Sequence, residues 1–293
     1  MMNDFEVWPG PMEGVGKGGF IEAVNLLHLT GRWMTPFFRV SQELPRRKSF
    51  VRFAELFFSG GVPVCVQLMG TDAGLLGAAG EEFLSMGAES LNLNFGCPSS
   101  KVISGGAGGG ALKAPEKLAE FCCRVKAALP DGAKLSVKLR TGWASPEDMR
   151  IFLPQIAGCG AVDKVFLHYR TVKEGYSPEA LVFREARLKE AVELSSPLPL
   201  IANGDITGVE MAKHLVERTG CAGVMIARPW LQDPYLLRRF SDPAVPEAEA
   251  GRELFFSELQ KKNLHLGAQI ELARMIWGVR DRRFLELIAR QPV

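Results

Sequence analysis

Ser90-Leu91-Asn92-Leu93-Asn94-Phe95-Gly96-Cys97-Pro98 is the run of residues from which the rest of this chain opens out. Residues 90–95 read as a short strand. Gly96 then allows a tight turn and Pro98 fixes its exit, so Cys97 is held on a loop directly after the strand. Comparable β-rich runs recur along the chain at Glu6–Pro9, Met34–Val40, Pro63–Leu68, Lys134–Leu139, Lys164–Tyr169, Leu198–Ala202 and Gly223–Ala227. Several are nearly continuous apolar stretches, as expected of parallel strands covered on both faces. Between them lie amphipathic segments such as Ala73–Met86, Ala114–Ala128 and Val209–Arg218. A further helix is predicted to open at Ser145, with Ser145 as its cap, Pro146 in the first position and Glu147 and Asp148 in the first turn.

Eight strands alternating with helices over about 230 residues predict an α/β fold of the (β/α)8 TIM-barrel type. The competing open, doubly wound sheet would carry a G-x-G-x-x-G turn after its first strand, and none is present. The barrel is expected to occupy residues 1–243. After Asp242-Pro243, residues 244–251 read as a linker, and the rest of 244–293 as a short helical appendage packed on the barrel. Residues 252–293 carry eight Lys or Arg against five Asp or Glu, with Arg274, Arg280, Arg282 and Arg283 among them, which suits contact with RNA phosphates.

The 293 residues are 47% hydrophobic and 23% charged, an ordinary globular composition with a net charge of +2. No stretch of about 18 apolar residues predicts a membrane span, and the N-terminus lacks the pattern of a secretory signal, so a cytoplasmic protein is expected. The six cysteines form no C-x-x-C pair, which points to free thiols, no disulfide framework and no metal site. Cys65, Cys122 and Cys159 read as small buried hydrophobes.

In a TIM barrel the active site lies at the carboxyl ends of the strands. Polar side chains fall at that end strand after strand here: Met12 and Glu13, Arg39, Gln67, Asn94 and Cys97, Lys138 and Arg140, His168, Asn203 and Asp205, and Arg228. Cys97 can serve there as nucleophile or proton donor. The glycine-rich stretch 104–111 reads as a mobile lid over the thiol. Lys138 and Arg140 call for an anion, because buried cations cost several kcal/mol unless one is present. The turns Asn203-Gly204-Asp205 and Ala227-Arg228 end strands seven and eight, where TIM barrels commonly hold a phosphate, so a phosphorylated cofactor such as FMN is expected.

Pro11-Met12-Glu13-Gly14-Val15, Gln67-Leu68, Asn94-x-Gly96-Cys97-Pro98-Ser99, Lys138-x-Arg140-x-Gly142-Trp143, His168-x-Arg170, Asn203-Gly204-Asp205 and Arg228 together resemble the FMN-dependent tRNA-dihydrouridine synthases. The PMEGV opening and the VKLRTGW segment look most like the branch acting at position 16 of the tRNA D-loop. The likeness spans roughly residues 7–240. It implies reduction of the C5–C6 bond of a uridine in tRNA, with NADPH as electron donor and Cys97 as proton donor. It implies that Pro11, Met12, Gln67, Lys138, His168, Asn203, Gly204, Asp205, Ala227 and Arg228 hold FMN, and that Arg39, Asn94, Arg140 and Arg170 face the substrate. The family usually has Gly-Arg where this chain has Ala227-Arg228. Two neighbouring readings stay open at this point: an FMN-dependent reductase of a small unsaturated molecule, and a dihydrouridine synthase acting on rRNA.

Overall fold

The computed structural model describes residues 5–15, 18–262 and 264–290. Nine strands form one parallel sheet: β1 (Glu6–Pro9), β2 (Trp33–Met34), β3 (Phe38–Arg39), β4 (Val64–Met69), β5 (Ser90–Asn94), β6 (Leu135–Arg140), β7 (Lys164–His168), β8 (Leu200–Asn203) and β9 (Gly223–Ile226). Their order is β1-β9-β8-β7-β6-β5-β4-β2, with β3 also on β4, and β1 lies against β2 to bring the barrel nearly to closure. Each strand except β2, which runs on into β3, is followed by helical structure that packs outside, so the fold is the α/β barrel that the periodicity predicts.

The predicted second strand, Met34–Val40, is instead two short strands. Thr35 N–H donates to Cys65 O and Val40 N–H to Met69 O, but Pro36 between them has no N–H to give, and the ladder with β4 lapses there. The predicted cap at Ser145 also differs. Its hydroxyl donates to the Glu147 carboxylate rather than accepting from a backbone amide, and Pro146–Asp148 is a tight 3-10 turn ahead of the helix Met149–Gly158. Asp148 is the residue that ties the turn down, its carboxylate accepting from Trp143 N–H at 2.9 Å.

The barrel interior is layered. Trp8, Met34, Cys65, Phe166, Ile201 and Met225 form an apolar plug toward the amino ends of the strands. Beside it the interior is polar, with Gln67, Asn92 and Ser136 all buried. The wider apolar core lies between the sheet and the surrounding helices.

The segment read as a linker is shorter than expected, because the helix Ala248–Gln260 begins inside it. Alanine and glutamate are good helix formers, and the composition that suggested a loop serves a helix once Pro246 has been passed. Two more helices follow, Leu266–Trp277 and Arg282–Ile288. Phe255 meets Phe20 of the barrel edge to face, with ring centres 5.5 Å apart, and Phe256, Leu259, Ile276 and Leu287 join the main core. The tail therefore shares the barrel's core. No helix among the described residues is long and apolar enough to cross a membrane.

Candidate active site

A cavity of about 580 Å³ opens at the carboxyl ends of the strands, within the range of about 300–1,000 Å³ usual for small-molecule sites. All ten residues assigned to a cofactor from the sequence line it: Pro11, Met12, Gln67, Lys138, His168, Asn203, Gly204, Asp205, Ala227 and Arg228. Cys97, Asn94 and Arg140 line it too. Arg39 and Arg170 do not. Arg39 is exposed outside the cavity, where its strand pairs with the end of β4. Arg170 is buried behind the wall, paired with Asp205 at 2.5 Å, stacked on Tyr169 and donating from Nε to Ser177 O. A guanidinium held by a carboxylate, a ring and a carbonyl is a strut for the wall and has no free face for a substrate.

Cys97 sits half-buried on the loop after β5. Its backbone N–H donates to Asn94 Oδ1 at 3.0 Å, and its carbonyl accepts from Gly109 N–H at 3.0 Å. The second part of the glycine-rich stretch is thus packed structure where the sequence suggested a mobile lid, while residues 104–106 form an exposed turn. Gly108–Lys113 forms a 3-10 helix with Gly108, Gly109 and Gly110 buried. A Cβ on Gly109 would come within 2.8 Å of Cys97 O and 2.9 Å of Val172, so the absence of a side chain lets this turn press against the cysteine loop.

Lys138 enters the cavity from β6, half-buried. Among the described residues no carboxylate lies within ion-pair distance of its ammonium. Desolvation, then the Arg140 guanidinium, pull its pKa down to about 7. Arg140 is spent on carbonyls: Nε on Gly96 O (2.9 Å) and Nη1 on Thr171 O (3.0 Å) and Gly175 O (2.8 Å). It clasps the loops after β5 and β7 together rather than offering a free fork. Burial, and then the cations Arg140, Lys138, Arg170 and Arg228, hold His168 well below its ordinary pKa, so its imidazole is neutral. His168 Nδ1 accepts from Arg170 N–H at 3.3 Å.

At the far side Arg228 pairs loosely with Asp205, at 3.4 Å, and its guanidinium lies 4.3 Å from the Tyr176 ring centre. The methyl of Ala227 is accommodated by Gly10: a Cβ on Gly10 would stand 2.6 Å from it. The side chain added at 227 thus fills space left by the glycine opposite.

Two wall residues had no sequence signal strong enough to single out. Tyr176 lies on an irregular loop, 55% exposed, over Arg228 and near Arg140. Met275 comes from the tail helix Leu266–Trp277, so the tail contributes to the cavity wall. The tail's cations, by contrast, are largely engaged. Arg274 pairs with Glu271 (2.6 Å), Arg282 with Glu286 (2.6 Å), and Arg283 with Asp281 (2.8 Å) while stacking 3.3 Å from the Trp277 ring centre. Arg280 alone of the four tail arginines noted from sequence has no carboxylate within ion-pair distance among the described residues. All six cysteines are free, with Cys65 and Cys122 buried as expected and Cys159 only half-buried.

The dihydrouridine synthase family model matches residues 9–283. The chain belongs to the dihydrouridine synthase family. That membership makes it an oxidoreductase, and the match runs well past residue 240, so the tail is part of the family unit. The chain is 31% identical over 255 residues to a tRNA-dihydrouridine(16) synthase of Pseudomonas syringae pv. tomato, covering 85% of this chain and 78% of the relative. It is 31% identical over 232 residues to one of Vibrio vulnificus, covering 78% and 72%. These likenesses agree with the branch toward which the sequence motifs lean. Among solved structures, morphinone reductase superposes with a TM-score of 0.58 at 11% identity, covering 87% of this chain and 89% of that one. A 2-naphthoyl-CoA reductase gives 0.59 at 10% identity, covering 80% and 49%. At such identities they bear on the barrel fold alone.

Proposed function

We propose that this family member is a tRNA-dihydrouridine synthase that reduces the C5–C6 bond of uridine 16 in the D-loop, with FMN in the cavity, NADPH as electron donor and Cys97 as proton donor. The observation that carries the reading is Lys138, a half-buried cation in the cavity wall with no carboxylate partner among the described residues. A cation so placed asks for an anionic ligand. FMN fits that demand, and Asn203, Gly204, Asp205, Ala227 and Arg228 supply polar backbone and a guanidinium at one side of the cavity for its phosphate.

Pro11, Met12, Gln67 and His168 would complete the wall that holds the cofactor. FMN bound there would supply hydride transfer between NADPH and the pyrimidine. Lys138 balances the negative charge that accompanies reduction, without the cost of drawing a solvated counter-ion into the cavity. Neutral His168 accepts Arg170 N–H and adds no further positive charge to those of Lys138 and Arg140. Hydride delivery to C6 would leave negative charge at C5, and the Cys97 Sγ–H would discharge it; in support, the loop that carries it is fixed on one side by Asn94 and on the other by Gly109. Arg140 keeps that loop against the one after β7.

The test is direct. The purified protein should be yellow or become so with FMN, be bleached by NADPH, and be reoxidised anaerobically by tRNA lacking the modification, leaving dihydrouridine at position 16. A protein that stays colourless after incubation with FMN would overturn the reading.

A further inference from the structure

Barrel interiors are ordinarily filled by branched apolar side chains. This one devotes a layer to amides and a hydroxyl, and their hydrogen bonds run in one direction. Ser136 Oγ–H donates to Leu91 O (3.0 Å), Asn92 Nδ2 to Ser136 Oγ (2.9 Å), and Gln67 Nε2 to Asn92 Oδ1 (2.8 Å). Asn94 Nδ2 then donates to Gln67 Oε1 (2.8 Å), and Asn94 Oδ1 accepts from Gly96 N–H (3.1 Å) and Cys97 N–H (3.0 Å). One end of the chain is a backbone carbonyl inside the barrel; the other is a pair of backbone amides on the cysteine loop. Neither end can exchange donor for acceptor. With the ends set, every amide between them has one allowed orientation.

We propose that Asn92 and Ser136, which do not line the cavity, are positioning residues for the reaction: they fix the orientation of Gln67 and Asn94 and thereby the place of Cys97. The inference rests on the functional reading above. Asn94 Oδ1 is fully used by the two loop amides, and one Nδ2 hydrogen is used by Gln67, so the amide has a single N–H uncommitted. It can meet a carbonyl oxygen, such as those of uracil, and cannot meet a donor. An apolar pair at 92 and 136 could fill the same space, but Gln67 Nε2 would keep only the Met34 sulfur, at 3.7 Å, as acceptor, and the orientation of Gln67 would rest on its bond from Asn94 alone.

Asn92→Leu and Ser136→Ala test this, with Ser136→Thr as the variant that keeps the hydroxyl. Two measurements are made on each folded protein. The first is alkylation of Cys97 by iodoacetamide in cofactor-free protein, followed on the Cys97 peptide by mass spectrometry. The second is the pair of half-reactions with FMN bound: reduction by NADPH, and reoxidation by unmodified tRNA. Asn92→Leu should change Cys97 alkylation about fivefold and slow reoxidation about tenfold, as befits one or two lost hydrogen bonds, with reduction by NADPH slowed less, since Gln67 is only one of several residues in the cofactor wall. Ser136→Ala should follow in the same direction with a smaller effect, and Ser136→Thr should restore both readouts. If Asn92→Leu does not fold, Ser136→Ala against Ser136→Thr decides. Unchanged alkylation and reoxidation in the folded variants, or equal slowing of both half-reactions, would overturn the proposal. Failure of the wild type to be reoxidised by tRNA would overturn the functional reading instead, while the alkylation measurement would still judge the positioning.

Discussion

The cations at the barrel mouth and those in the helical tail are kept in opposite ways. In the tail, Arg252, Arg274, Arg282 and Arg283 each have a carboxylate partner within one or two helical turns or on the neighbouring helix, and Arg283 also lies on Trp277. At the mouth, Lys138 has none among the described residues, Arg140 is satisfied by carbonyl oxygens that cancel no charge, and Arg228 has only its loose contact with Asp205 at 3.4 Å. A paired surface cation contributes to structure and has little left for a ligand. An unpaired, half-buried one destabilises the empty protein and gives that free energy back when an anion arrives. Charge counting along the sequence makes the tail look like the RNA-binding element; the pairing pattern moves the ligand-seeking cations to the barrel mouth.

The largest expected effect falls on the one wall residue whose proposed task is chemical. Cys97→Ala should still bind FMN and let NADPH reduce it, while reoxidation by tRNA slows about 10²-fold, the usual worth of a positioned general acid. Rapid mixing of the two half-reactions separates the outcomes, and reoxidation at the wild-type rate would remove Cys97 from the mechanism. Cys65→Ala is the matched control. That thiol lies in the apolar plug, pushed up to about 11 by burial, and its loss should lower stability and leave both half-reactions alone.

Lys138→Met tests the mouth side of the contrast. It should weaken FMN binding by about 10- to 100-fold, as expected for loss of a charge-assisted contact, and at the same time stabilise the cofactor-free protein by roughly 1–3 kcal/mol. The sign of the pH dependence follows from the depressed pKa. Between about 7, its value in the fold, and its ordinary value of 10.5, the unfolded chain holds a proton on this lysine that the folded chain has released. The contribution of Lys138 to stability therefore rises with pH across that window. Urea unfolding of the cofactor-free protein at pH 7 and pH 9 should show the rise in wild type and less of it in Lys138→Met. A variant that is less stable than wild type at both pH values would mean that the lysine has a partner after all.

Gly109→Ala probes how firmly the cysteine loop is held. Its methyl would press on Cys97 O and Val172, an overpacking expected to cost about 1–3 kcal/mol, and the thermal midpoint should fall accordingly. If stability is unchanged, the glycine-rich turn moves aside easily and the lid reading regains force.

Much of the site was legible because strand ends are legible. Apolar runs mark β7 through β9 and alternation marks β6, so polar residues at their carboxyl ends stand at the mouth; the ten cofactor-directed residues, implied by the family resemblance, all line the cavity wall. Where the reading faltered, the missing information was not local. Arg170 follows a strand like the others, but Asp205 and Tyr169 take its guanidinium away from the cavity, and that depends on how the loops after β7 and β8 meet. The stretch 104–111 has the composition of a mobile loop; residues 104–106 are exposed, but 107–110 are buried, with Cys97 O and Val172 beside Gly109. Tyr176 and Met275 carry no periodic signal that points to the mouth. Pro36, conversely, was a visible mark of the break between β2 and β3, since a residue without an N–H cannot sit within a ladder.

The smallest effects are expected in the tail, and there the comparison is sharpest between neighbours. Arg282 is 90% exposed on its side chain and pairs with Glu286 one turn on. Such a pair is worth about 0.2–0.5 kcal/mol, so Arg282→Ala should scarcely move the thermal midpoint. Arg283, one residue away, packs on Trp277 and meets Asp281, whose carboxyl it holds down at about 2. Its loss should cost about 1–2 kcal/mol, since a cation–π contact and a charge-assisted hydrogen bond disappear together. Neither change should alter the slope of log affinity for tRNA against log salt by as much as one unit, because a side chain already neutralised by a carboxylate releases few counter-ions on meeting a phosphate. Arg280→Ala is the informative third measurement. If a tail arginine does contact the RNA, this one, without a carboxylate partner, should flatten the slope by about 0.7–0.9. A uniform loss of slope across Arg280, Arg282 and Arg283 would instead mean that the ion pairs open on binding, and that the tail is a phosphate-binding surface in spite of its pairing.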